Sequence, residues 1–321
     1  MRTPLVIIVG PTAVGKTTFA IEIAKQLNGE IVSADSMQIY KYMDVGSAKP
    51  TKKELAEVRH YLVDEIDPTE VFSAAEYQKL AKKYISNILS SGKTPIICGG
   101  TGLYINSLIY DMDFSVQPSQ SAFRQKAEEE ALEFGLEFVH NKLKSIDLES
   151  AGRIHPNNLR KVIRALEVYE SSGEVIKEFE KSFIKTKDYD YILIGLTRNR
   201  EELYNRINER VDLLLQMGLV EELQSLLSMG LTEDCISMKG IGYKEIIGYL
   251  QGRYDYTSAV QLVKQNSRRY AKRQLTWFRR YNDIRWFNIS EFESNATALS
   301  EVISWIKEKR DTIINQTNPT I

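Results

Sequence analysis

The chain is poor in the residues that staple or metallate small folds. Its 321 residues hold two cysteines, Cys98 and Cys235, far apart and without partner spacing. That excludes a disulfide framework and leads us to expect a reducing cytoplasm. Three scattered histidines (His60, His140, His155) make no metal constellation. No apolar run approaches the ~18 residues of a membrane span, so neither an anchor nor a signal peptide is expected. A surplus of one charge is also missing. With 42 basic and 43 acidic residues the net charge is -1, so any polyanion-binding surface must be local. Hydrophobic content of 43% and charged content of 26% suit an ordinary globular enzyme, and the length suggests about two domains.

What is present is concentrated at the start. Leu5-Val-Ile-Ile-Val9 is a short β-branched run, read as a buried strand. It leads into Gly10-Pro11-Thr12-Ala13-Val14-Gly15-Lys16-Thr17, then a helical pattern through Ala24. The spacing is that of a P-loop. The glycines let successive backbone N–H groups converge on an anion, and the helix N-terminus adds partial positive charge. Lys16 supplies a point charge and Thr17 a hydroxyl for a metal ion. The motif reads phosphate and is silent about a base.

Alternating strand and helix patterns follow. Glu30–Asp35 and His60–Ile66 read as strands, and Ser73 with Glu76 has capping-box spacing before a helix. Thr94–Cys98 is a further buried strand, ending in Gly99-Gly-Thr-Gly102. The expectation is α/β: a P-loop NTPase-like parallel sheet flanked by helices. Ligands in such sheets sit beyond the carboxyl ends of the strands, where Asp35 and Thr101 fall. Residues 113–188 are charged and helical without a convincing strand, and are read as an all-helical insertion into a core of 1–112 and 189–321. A strand over 189–196, helices from 199, a late strand over 285–290 and a last helix near 293–309 complete the pattern, with a frayed tail after 310.

Chemistry-bearing residues come next. Asp35 can take a proton or orient a nucleophile; equally it can cap a turn or meet a metal through water. The strand before Gly99 carries no acid of the kind a P-loop hydrolase uses for its metal, and its glycines permit either a close ligand approach or a tight turn. No acid occurs between Tyr256 and Asn282, whereas Lys264, Arg268, Arg269, Lys272, Arg273, Arg279 and Arg280 do. At helical spacing they share one sector, with Val263, Tyr270, Ala271, Gln274, Trp277, Phe278 and Tyr281 opposite. That helix suits a phosphate backbone or a solvated surface. Arg206 with Arg210, and Arg160 with Arg164, are each four apart; each pair can serve phosphate or solvent.

Taken together, Gly10–Thr17, Ser33-Ala-Asp-Ser-Met-Gln-Ile-Tyr-Lys41, Met43–Pro50, Gly99–Tyr104, Arg153–Asn157, Arg164–Glu167 and Tyr270–Trp277 resemble the tRNA dimethylallyltransferases, in order along nearly the whole chain. The resemblance implies transfer of a dimethylallyl group from dimethylallyl diphosphate to N6 of the adenosine 3′ to the anticodon, in tRNAs reading codons that begin with U. It implies that the P-loop holds a leaving group, with Lys16, Arg210 and a Thr17-bound Mg²⁺ neutralising it. Asp35 would accept the N6 proton and Thr101 would position base or diphosphate. By the same resemblance Asp35, Ser36, Met37, Gln38, Thr101 and Arg124 contact tRNA, as do Arg160, Arg164 and Lys239. Arg269 and Arg273 would meet its phosphates, and the helical insertion would meet the anticodon stem-loop of a tRNA bound by a monomer. A small-molecule kinase using ATP and a non-catalytic RNA-binding nucleotide switch are the competing readings. The basic helix argues against the first. The absence of an Asn-Lys-x-Asp motif argues against a GTP form of the second.

Overall fold

A computed structural model describes residues 3–112, 114, 121–175 and 184–317. The chain divides into two compact units, one formed by Met1–Ile109 with Thr186–Ile321 and the other by Tyr110–Lys185. Of the segment expected as the insertion, residues 113, 115–120 and 176–183 lie outside those described.

The first unit is a six-stranded, all-parallel sheet. Its strands are β1 (Leu5–Val9), β2 (Gly29–Ser33), β3 (His60–Tyr61), β4 (Thr94–Gly99), β5 (Tyr191–Thr197) and β6 (Arg285–Asn288), in the order β3-β2-β4-β1-β5-β6. All five β1 residues are buried, as expected of a strand covered by helices on both faces. Helices α1 (Lys16–Leu27), α2 (Lys52–Glu57), α3 (Ala74–Ser90) and α4 (Gly102–Ile109) interleave with the first strands. The capping box of Ser73 and Glu76 opens α3 as the spacing predicts.

The second unit holds α5 (Ser121–Phe134), α6 (Leu136–Ile146), α7 (Leu148–Arg153) and α8 (Leu159–Ser172), packed around Val139, Leu143, Val162 and Leu166. The first unit then continues with α9 (Arg200–Gln216), α10 (Leu219–Ser228), α11 (Tyr243–Leu250), α12 (Tyr256–Phe278) and α13 (Asn295–Thr317).

Several boundaries differ from expectation: the helical unit spans Tyr110–Lys185 where 113–188 is expected, and the late strand expected over 285–290 ends at Asn288. The strand expected over 60–66 stops at Tyr61, because Leu62 and Asp64 take positive φ values of 59° and 60° and turn the chain out of the ladder. The basic helix ends at Phe278, so Arg279, Arg280 and Tyr281 follow it. The last helix runs on to Thr317, past the expected fraying point: its own Val302 and Ile306 are buried in the core, and Ile313, beyond residue 310, packs against the same cluster; residues 318–321 lie outside those described.

Candidate functional site

The cradle forms where β1 runs into α1. Gly15 caps α1 at φ 109°, a left-handed geometry that glycine adopts without strain. Lys16 begins the helix, and its Nζ donates to the Pro11 carbonyl at 2.9 Å. Burial lowers its pKa to about 8, against the opposing pull of Cys98 and Asp35. Two arginines hold the loop by its carbonyls: Arg198 Nε donates to Val14 O at 3.1 Å, and Arg206 Nε to Ala13 O at 3.0 Å. Ala13 itself sits at φ 63°, a strained position for a residue with a Cβ.

Because all strands are parallel, the ends of β1, β2 and β4 share one edge of the sheet, which brings Asp35 and Thr101 to the cradle. Asp35 Oδ1 accepts the backbone N–H groups of Met37 (2.9 Å) and Gln38 (3.4 Å). Thr101 Oγ1 accepts the Ser36 N–H at 3.0 Å, and the Thr101 N–H donates to Ala34 O at 3.0 Å. Asp35 therefore shapes its own turn with one oxygen, and the Gly99–Gly102 loop grips that turn. Gln38 bridges further, from the Ser33 hydroxyl (3.2 Å) to the Ala48 carbonyl (3.3 Å). Burial pushes the Cys98 thiol up to about 12, so it is neutral near pH 7.

Two cavities adjoin here. One of about 540 Å³ is lined by Lys16, Thr17, Cys98 and Arg206 among others. The other, about 430 Å³, is lined by Met37, Tyr40, Phe72, Tyr104, Lys239 and Arg273 among others. Asp35, Arg210 and Tyr270 line both. Burial lowers the pKa of Arg210, opposed by the charge of Asp35; it stays cationic, since even a depressed guanidinium holds its proton near neutrality. The arginine pair of α9 is thus divided: Arg206 holds the loop backbone and lines only the larger cavity, whereas Arg210 lines both.

Sequence reasoning missed two holding residues. Glu222, on α10, accepts the backbone N–H groups of Asp44, Val45 (both 2.7 Å) and Gly46 (2.9 Å), and the Tyr243 hydroxyl (2.8 Å). It fixes the 44–48 loop beside both cavities. Gln274, buried on α12, accepts the Thr12 N–H at 2.9 Å and donates through Nε2 to the Gly100 carbonyl at 3.0 Å. Its signal in the sequence is a lone amide on an otherwise apolar helix face. Glu222 has no comparable signal, because its backbone partners lie 176 to 178 residues away.

The basic sector of α12 is divided as well. Lys264 pairs with Asp212 at 2.7 Å and Arg268 donates to Asn208 at 2.5 Å, both on α9. Arg269, Lys272 and Arg273 remain exposed. In the helical unit, Arg124 makes a two-pronged pair with Glu167 at 3.0 and 2.9 Å, and Arg164 lies 3.6 Å from the same carboxylate. Arg160 is exposed on α8. Among the described residues no group of three or more His, Cys, Asp or Glu side chains could hold a metal ion, and no helix is long and apolar enough to cross a membrane.

A glycine cradle at the end of an inner parallel strand, with a buried lysine and a carboxylate on the same edge, defines a P-loop α/β protein. Within that class, the IPP transferase family matches residues 38–281. A relative named tRNA dimethylallyltransferase from Alkaliphilus oremlandii is 56% identical, over 92% of this chain and 94% of its own length. One of the same name from Clostridioides difficile is 51% identical over 96% and 98%. The solved tRNA isopentenylpyrophosphate transferase of Bacillus halodurans superposes with a TM-score of 0.73 at 41% identity, over 97% of this chain and 98% of that one. A eukaryotic dimethylallyltransferase acting on tRNA gives 0.82 at 26% identity, over 97% and 79%. The chain belongs to the IPP transferase family.

Proposed function

We propose that this protein is a tRNA dimethylallyltransferase, joining the dimethylallyl group of dimethylallyl diphosphate to N6 of the adenosine 3′ to the anticodon. The observation that carries the reading is the pair of adjoining cavities with Asp35 and Arg210 in their common lining. The cradle with Lys16 suits the diphosphate, and the Met37, Tyr40, Phe72 and Tyr104 cavity suits a flat, apolar-faced adenine taken out of its stack.

In the reaction, N6 attacks C1 of the allylic chain, the C1–O bond breaks, and its electron pair leaves with the diphosphate. Lys16 and Arg210 meet the charge that develops there. Asp35 takes the N6 proton as the new C–N bond forms, its turn held still by Thr101. Mg²⁺ fits this site only as a guest of the diphosphate: the Thr17 hydroxyl would join phosphate oxygens and waters, in keeping with the preference of Mg²⁺ for such shells. When bound it supplies charge neutralisation to the leaving group.

Asp35, Ser36, Met37, Gln38, Thr101 and Lys239 are proposed as contacts to the modified loop, and Arg269 and Arg273 as contacts to its phosphates. Arg124, Arg160 and Arg164 are proposed as the helical unit's contacts to the stem-loop. A monomer is proposed as the form that binds tRNA. Two free thiols and a tRNA substrate support work in the cytoplasm.

The test is label transfer from dimethylallyl diphosphate to unmodified tRNA with Mg²⁺, and ATP in a parallel tube. Label in tRNA that requires Lys16 and Asp35 is expected. ATP consumption without label would replace this reading with the kinase or switch.

A further inference from the structure

Gln274 joins two segments that the chemistry needs in register. Thr12 belongs to the diphosphate cradle beyond β1, and Gly100 to the loop beyond β4. Gln274 is 5% exposed and uses both ends of its amide, Oε1 toward the Thr12 N–H and Nε2 toward the Gly100 carbonyl. The fit is close: a Cβ on Gly100 would come within 2.1 Å of Nε2. The next residue, Thr101, holds the Ser36 N–H, and Asp35 is part of that turn. A shift at Gly100 is therefore passed through Thr101 to the carboxylate, while a shift at Thr12 is passed to the cradle.

We infer that Gln274 is a positioning residue that sets the spacing between the diphosphate cradle and the Asp35–Thr101 edge. The inference rests on the transferase reading for its kinetic consequence and on geometry alone for its effect on the cradle. An amide is the side chain of this size that donates and accepts at once. Ionised glutamate at this position accepts from Thr12 but turns an anion toward the Gly100 carbonyl. Methionine fills the volume and leaves both backbone groups without a partner. The same helix carries Arg269, Lys272 and Arg273 on its exposed side, so the residue also ties the proposed tRNA-phosphate face of α12 to the reacting centre.

The experiment compares Gln274→Glu, Gln274→Met and Gly100→Ala with the wild-type chain in three measurements: kcat and donor KM, tRNA Kd, and the Kd for inorganic diphosphate. Misplacement of reacting groups by about 1 Å costs on the order of 100-fold in rate. A kcat loss of that order is expected in all three variants, with tRNA Kd unchanged and diphosphate Kd raised severalfold. Gly100→Ala disturbs the same bond from the opposite side, so it decides the matter if a Gln274 variant does not fold. Wild-type kcat and diphosphate Kd in any folded variant overturn the inference. A loss of tRNA affinity with kcat intact also overturns it, since Gln274 would then act only through the α12 surface. If the wild-type chain transfers no label, the transferase reading fails, and diphosphate Kd alone judges Gln274.

Discussion

Two arginine pairs with the same spacing end in different places. Arg206 and Arg210 on α9 stand beside a cradle that offers both a loop carbonyl and a cavity lining. Arg206 binds the Ala13 carbonyl and lines only the larger cavity, and Arg210 lines both cavities with Asp35. Arg160 and Arg164 on α8 belong to a helical unit. There Arg164 is drawn toward Glu167 beside Arg124, and Arg160 faces solvent. Spacing four puts two side chains on one helix face. What that face meets decides whether the pair braces, reacts or is solvated.

The largest expected effect separates the pairs outright. Arg210→Gln removes a charge-assisted donor from the site of the leaving group, and kcat is expected to fall about 10³-fold with tRNA affinity kept. Arg160→Gln is expected to leave kcat alone and raise the tRNA KM severalfold, with a shallower salt dependence. Single-turnover rates and filter binding across a salt series measure both. Equal kcat losses in the two variants would erase the distinction.

Within the first pair, Arg206→Gln should act on binding rather than on chemistry. It frees the Ala13 carbonyl and with it a residue held at φ 63°. The donor KM is expected to rise about tenfold, the worth of one charge-assisted hydrogen bond, with a smaller change in kcat. A kcat loss matching that of Arg210→Gln would place both arginines on the leaving group.

Lys16 sharpens the same contrast through pH. Its pKa is lowered to about 8, mainly by burial. Below that value the ammonium is available to diphosphate, and above it the free protein offers a neutral amine. Affinity for inorganic diphosphate is therefore expected to weaken as pH rises through about 8, and Lys16→Met should flatten that limb. The linked stability effect has the opposite sign. Above about 8 the folded lysine has lost a proton that the unfolded chain keeps, so this group favours folding more as pH rises toward the ordinary lysine range. Binding and melting curves that move in opposite directions would distinguish the site from general alkaline unfolding.

The sequence made the cradle legible because its physics is local. Gly10, Gly15, Lys16 and the flanking periodicities lie within one strand–loop–helix, and parallel pairing then fixes which edge receives Asp35 and Thr101. The short reach of β3 was not legible, since nothing at Leu62 or Asp64 announces a positive φ. The basic helix was legible as amphipathic, but Lys264 and Arg268 turn to Asp212 and Asn208 on another helix, contacts that only tertiary packing supplies. Glu222 was missed for the same reason, and Gln274, though marked as a lone amide on an apolar face, gave no hint of its partners. Each satisfies backbone groups far away in the chain, and one dimension does not show which distant loop a polar residue completes.

The smallest effect asks which kind of arginine Arg124 is. Its two-pronged pair with the buried Glu167 has the geometry of a structural tie, while the family resemblance is what proposes it as a tRNA contact. Arg124 is half-exposed, so Arg124→Ala should cost only about 1 kcal/mol in denaturant unfolding. Glu167→Gln separates the two roles, because it keeps the volume and weakens the hold on the guanidinium. If Arg124 must let go of Glu167 to reach phosphate, tRNA affinity rises in that variant and falls again in the Arg124→Ala, Glu167→Gln double variant. If the pair is only a tie, both variants bind tRNA as the wild type does and differ in stability alone. Arg124 would then join Arg206 as an arginine whose work is to hold the fold.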